Sequence, residues 1–170
     1  MKKYIGTKVI LAKPGTEAEA QALKCNCPVE VQEKIFKKSG TVNREGYIVK
    51  YSDDYISWSP KEQFERAYRA VDGSMNFGHA IELMKMGFKV ARKGWNGKAM
   101  FIYIQPGSNP FFHDLKSDVQ KQLVNSNCVD ASGRIIINPH IDMKAADGTL
   151  VVGWLASQTD MLAEDWFVVE

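Results

Sequence analysis

The stretch that most constrains the fold is the last one, Asp147 to Trp166, because it packs a turn signal, an apolar run, a helix start and two tryptophans into a short span. Asp147-Gly148 is a hairpin signal, since glycine accepts positive φ without a Cβ clash. Residues 150–155 are apolar, rich in valine and bounded by turn residues, so they read as a strand. Ser157-Gln-Thr-Asp160 has capping-box spacing: the serine hydroxyl takes a free N–H of the first turn and the acid three residues on reaches back. A helical turn over 161–164 and a closing strand over 166–169 complete a strand–turn–helix–strand unit. Such a unit can hold side chains rigidly enough to form a ligand wall. Trp166, beside Phe167 and Val168, reads as core. Trp154 reads equally as core or as wall, because Gly153 leaves one of its sides uncrowded.

Working backwards, residues 75–170 read as one module. A helix carries Phe77, Ala80, Ile81 and Met84 on one face and stops at Gly87. Strands are expected over 88–92 and 99–104 around the Gly94–Gly97 turn. A modest helix is expected over 113–125. A strand over 134–143 contains Pro139, which demotes it to an edge or bulges it. Residues 1–74 read as a separate small module that ends at Asp72-Gly73-Ser74. It has a strand or a bent strand pair over 3–12 ended by Pro14-Gly15, a short helix over 17–23, and a polar loop around a weak helix over 31–38. A hairpin follows from Gly46 to Trp58, then a helix capped by Ser59 with Pro60 at its first position and running to about Val71. The expected class is α+β: a small, mostly antiparallel sheet with one or two packed helices, preceded by a small α+β module.

Charge separates the two modules. Residues 1–74 hold 13 Lys and Arg against 10 Asp and Glu, and residues 75–170 hold 9 against 10. The overall balance of +2 is no nucleic-acid footprint, and no apolar run is long enough to cross a bilayer. The start of the chain has no apolar stretch of the secretory kind. Three cysteines fit a reducing cytosol, with Cys25 and Cys27 awkwardly spaced for pairing with each other and lacking the spacing of a zinc knuckle.

Five of the second module's cations, Lys85, Lys89, Arg92, Lys93 and Lys98, bracket the Gly94–Gly97 turn. Two glycines in a tight turn let backbone N–H groups approach an anion, and Trp95 offers a face for stacking a base. The bland alternative is a glycine hairpin with an anchoring tryptophan and a solvated basic edge, the commoner fate of exposed lysines. In the terminal unit, Ser157, Gln158 and Asp160 can bond hydroxyls and ring nitrogens, or simply cap a helix. The three histidines, His79, His113 and His140, are scattered without metal spacing. No nucleophile elbow, phosphate-binding loop or Rossmann glycine pattern occurs, and no two carboxylates pair as acid and base from sequence alone. Neither catalysis nor a metal or cofactor is expected.

Several separated motifs over residues 75–170 together resemble the Thoeris anti-defence 2 family of phage proteins. They are Met75-Asn-Phe-Gly-His-Ala, Ala91-Arg-Lys-Gly-Trp-Asn-Gly-Lys-Ala-Met, Pro106-Gly-Ser, Pro139-His-Ile-Asp-Met-Lys-Ala-Ala-Asp-Gly, and Trp154-Leu-Ala-Ser-Gln-Thr-Asp-Met-Leu-Ala-Glu-Asp-Trp166. The first module is similar to a small phage domain, of unknown function, found fused to other phage domains. The resemblance implies a sponge acting in the cytoplasm of the infected host cell. Such a protein binds cyclic ADP-ribose-type signals of Thoeris immunity and holds them intact, with cyclic dinucleotides as a further ligand class. It further implies a compact α/β homotetramer with pockets at subunit interfaces. The residues it points to are Trp95, Asn96, Trp154, Ser157, Gln158 and Asp160, with Arg92 and Lys98 facing phosphates. Residues 111–127 depart from the family pattern as a longer, more helical connection. Two other classes remain open on the residues: a phosphodiesterase or glycohydrolase using a carboxylate such as Asp160, and a phage structural or host-binding adaptor.

Overall fold

The computed structural model describes residues 8–170, so the beginning of the strand expected over 3–12 lies outside the described residues. The chain forms two compact units that divide between Arg69 and Ala70. Residues 70–74, expected to close the first module, belong to the second.

In the first unit, β1 (Leu11–Thr16), β2 (Glu45–Lys50) and β3 (Ile56–Pro60) form a three-stranded antiparallel sheet in that order. Pro14-Gly15 does not end β1. The strand runs through them because β1 lies at the sheet edge, where proline's missing N–H costs no ladder bond. Thr16 caps α1 (Glu17–Cys25) with a complete capping box to Glu19. Ala18, Ala20 and Ala22 are buried, and their small side chains let α1 lie close to the sheet. After Pro28 comes α2 (Val29–Ser39), longer than expected and with no buried residue. Between the helices the free Cys25 and Cys27 thiols stand 2.7 Å apart.

β2 and β3 follow the expected hairpin, with Ile48 opposite Trp58. α3 (Lys61–Ala67) is shorter than its apolar pattern implies. Pro60, extended and without a side-chain cap bond, occupies the position expected of Ser59, which pairs with Tyr47 inside β3. Tyr68 then leaves the helix with an extended backbone, and its ring stays stacked on Phe64 at 4.9 Å.

The second unit is a six-stranded antiparallel sheet built from β4 (Asp72–Met75), β5 (Lys89–Arg92), β6 (Phe101–Gln105), β7 (His140–Lys144), β8 (Leu150–Val151) and β9 (Trp166–Val169). Its order is β4-β9-β5-β6-β7-β8, so the last strand inserts between the first two of the unit. The fold class is α+β, as expected. α4 (Phe77–Lys85) packs on β5, β6 and β9, and Asn76 caps it in a reciprocal box with His79. Met75 ends β4 and is buried with Ala80, Leu83, Met84, Val90, Ile102, Met143 and Trp166 in one core. The class is thus set by one amphipathic helix covering one sheet face.

Three segments are more broken than their apolar patterns implied. The helix expected over 113–125 divides into a 3-10 turn at Phe112–Asp114 and α5 (Ser117–Leu123). The strand expected over 134–143 is regular only from His140. Before Pro139 the chain makes single bridges, such as Ser108 with Ile137. The run 150–155 is a strand for two residues, because Gly153 turns at φ 73° and carries the chain off the sheet edge. The terminal turn is α6 (Gln158–Met161), capped by Ser157 in a box completed by Asp160.

Candidate functional site

The antiparallel register of β5 with β9 sets Arg92 opposite Trp166, so Arg92 ends its strand beside Asp165, the residue that leads into β9. Arg92 donates from Nε to Asp165 Oδ1 at 2.8 Å and from Nη1 to Asp160 Oδ1 at 2.7 Å. Asp165 Oδ2 also accepts the backbone N–H of Gly94 at 2.7 Å, which fastens the glycine turn to the start of β9. Asp160 accepts at Oδ1 from Trp95 Nε1 at 3.0 Å, and at Oδ2 from the Ser157 hydroxyl at 2.6 Å. The indole of Trp166 donates to the Asp160 carbonyl at 3.1 Å. One guanidinium and two carboxylates therefore tie together three pieces of chain: the end of β5, the capping box of α6 and the start of β9.

The ring geometry completes this wall. Trp95 meets Trp154 edge to face at 6.1 Å, although the Trp95 turn and the α6 cap that brace it are 65 residues apart in sequence. On its other side Trp95 meets buried Trp166 at 5.4 Å, again edge to face, the orientation the ring quadrupoles favour. Trp154 is held at its backbone, where its N–H donates to the Ile141 carbonyl at 2.7 Å. The preceding N–H, of Gly153, donates to buried Asp142 at 3.0 Å. Both Trp95 and Trp154 are half-buried and packed against the core.

The electrostatics follow from this geometry. Burial pushes the Asp160 carboxyl up, but donors from Ser157, Arg92 and Trp95 outweigh it and hold the pKa at about 2. The hydrogen bond from Arg92 likewise draws Asp165 below the ordinary carboxylate range. Asp165 and Asp160 in turn raise Arg92 above its usual value, against the opposing effect of burial. Asp160 is ionised throughout the physiological range, and both its oxygens are engaged.

Of the eight residues singled out from sequence, five are brought into one assembly: Arg92, Trp95, Trp154, Ser157 and Asp160. Asn96 and Lys98 stand exposed on the adjoining turn, and Gln158 is exposed at the start of α6. Arg92 was expected to face a phosphate. In this chain its guanidinium instead faces Asp160 and Asp165. Asp165 was not among the residues singled out from sequence, and its signal is its place directly before buried Trp166, the residue that pairs with Arg92. A separate cavity of about 340 Å³ lies by the α4–β5 turn and β6, lined in part by Phe88, Lys89, Phe101 and Tyr103, and it includes none of the eight. Among the described residues no group of three or more His, Cys, Asp or Glu is arranged to hold a metal ion, and no helix is long and apolar enough to cross a membrane.

Fold and site together define a small antiparallel α+β domain with a paired-indole wall braced by a half-buried ion-pair network. Residues 75–169 match the family described as the Thoeris anti-defense 2-like domain, and the chain belongs to that family. The Thoeris anti-defense 2 protein of Bacillus phage SP01 is 38% identical to this chain over 95 residues, a match that spans 56% of this chain and 94% of that protein. The family match, over residues 75–169, falls within the second unit and leaves the first outside it.

Proposed function

We propose that this chain is a phage anti-defence protein that binds a cyclic ADP-ribose-type immune signal and sequesters it without degrading it. Thoeris-type immunity in the cytoplasm of the infected cell is thereby silenced. Membership in the Thoeris anti-defense 2-like family supports the anti-defence role. The observation that best supports sequestration is the meeting of Trp154 with Trp95, whose indole is fixed to an Asp160 carboxylate held by four donors. A cyclic nucleotide presents a flat base, ribose hydroxyls and anionic phosphates. In this reading the indoles stack the base, while Asn96, Ser157 and Gln158 serve the hydroxyls and ring nitrogens. Lys98, exposed at the rim, meets phosphate. Arg92 works from beneath, holding Asp160 and the turn in place, with cyclic dinucleotides as a second ligand class.

Sequestration needs affinity and slow release rather than a general base. Nanomolar binding requires about −12 kcal/mol, which is reachable when the wall is already rigid. Asp160 is a poor candidate for proton transfer, since a carboxylate with pKa about 2 and both oxygens occupied takes up a proton reluctantly. The pocket is completed in a homotetramer at subunit interfaces. Leu155 and Leu162, 89% and 81% exposed beside the wall, are the apolar surface that such an interface would cover. Incubation with a cyclic ADP-ribose isomer, heat denaturation and assay of the supernatant distinguish the readings. The sponge returns unchanged ligand up to a stoichiometric plateau. Product accumulating over many turnovers would establish an enzyme instead.

A further inference from the structure

The Cys25–Cys27 pair belongs to the first unit, whereas every residue assigned above belongs to the second. Cys25 is the last residue of α1 and Asn26 is its left-handed cap, at φ 49° and ψ 47°. The Cys27 N–H then returns to the Ala22 carbonyl at 3.0 Å. This reversal turns two side chains separated by one residue towards each other and leaves their sulfurs 2.7 Å apart. Gln32, one turn into α2, donates its Nε2 amide to both sulfurs, at 3.1 Å to Cys25 and 3.2 Å to Cys27. Cys25 is exposed and Cys27 half-buried, so a small reagent has access to the pair.

We propose that Cys25 and Cys27 are a covalent modification site, a dithiol that reacts with a low-molecular-weight disulfide and closes into an intramolecular disulfide across the α1–α2 turn. Cys27 is the attacking sulfur. The hydrogen bond from Cys25, joined by that from Gln32, draws its thiol below the ordinary range, while the partner bond to Cys27 keeps Cys25 above it and protonated. The Cys27 thiolate attacks one sulfur of the reagent, forming a mixed disulfide and expelling a thiolate that takes up a proton. Cys25 then loses its proton, attacks the Cys27 sulfur and expels the second reagent thiol. Two protein thiols are oxidised and one reagent disulfide is reduced to two thiols. The final sulfur–sulfur bond of about 2.05 Å requires only a small approach from the observed separation.

The test uses the full chain equilibrated in buffers of oxidised and reduced glutathione, quenched with acid, alkylated and mapped by peptide mass spectrometry. The peptide carrying Cys25 and Cys27 is expected to be lighter by two hydrogens and to resist alkylation, while exposed Cys128 serves as the internal control. Half-oxidation of the pair is expected at a ratio of oxidised to reduced glutathione at least about tenfold lower than in the same chain unfolded in guanidinium chloride. Cys25→Ser is expected to arrest the reaction at a glutathione adduct on Cys27. Independent alkylation of both sulfurs in every buffer, or closure no easier in the folded chain than in the unfolded one, would overturn the proposal.

Discussion

Asp160 does two jobs with one side chain: it closes the box that starts α6, and it receives the Trp95 indole and the Arg92 guanidinium. Its folded-state pKa, about 2, lies below that of an unfolded aspartate. Its contribution to stability is therefore complete above about pH 4 and is lost as pH falls towards 2. That gap corresponds to about 2 kcal/mol. Denaturant melts at a series of acidic pH values should show this slope in the wild type and a flatter one in Asp160→Asn. Arg92→Ala leaves two carboxylates facing each other with only neutral donors, so it should cost about 3 kcal/mol in urea unfolding at neutral pH. Trp154→Ala tests ligand contact: loss of a stacking face should weaken binding of a cyclic ADP-ribose isomer by at least about tenfold in calorimetry. The tryptophans, the capping box and the cations are legible one by one in the sequence. That Arg92 turns inward to Asp160 and Asp165 is not, because the charge pattern of a strand end does not say which residue a distant strand will bring beside it.

At the scale of elements, local signals worked where the chain's own neighbours satisfy them. The Ser157 box, the helix from Phe77 and the hairpin from Glu45 to Pro60 form from residues a few positions apart. Asn76→Ala removes one side of the α4 box and should cost about 1 kcal/mol, read as a lowered urea midpoint with unchanged slope. Strand lengths were harder to read. Leu150 to Leu155 has the composition of a strand throughout, yet the left-handed Gly153 and its bond to Asp142 lift Trp154 towards Trp95 after only two paired residues. The apolar stripe after Lys61 likewise promised a helix to Val71. The chain becomes extended at Tyr68 because Val71 and Asp72 are engaged by β9, where Val168 donates to the Val71 carbonyl at 3.0 Å.

At the scale of the molecule, β9 holds the second unit together by lying between β4 and β5. A chain shortened to residues 70–170 should fold and keep ligand affinity. One shortened to 77–170 loses β4 and the buried Met75, and should show a lower melting temperature in circular dichroism. Replacing Leu155 and Leu162 by Glu should convert the proposed tetramer to smaller species in light scattering while preserving the secondary structure.

The sequence by itself determined the α+β class, the Asp147-Gly148 turn, the Ser157 cap and the inventory of tryptophans and charges, because those depend on propensities and on neighbours within a turn or a hairpin. Only the tertiary structure decided which of them meet. Insertion of the last strand between two earlier ones carries Trp166 and Asp165 to Arg92, and a six-strand order is not encoded in any local period. The same limit applies to Cys25 and Cys27, where the left-handed Asn26 between them sets the two free thiols 2.7 Å apart.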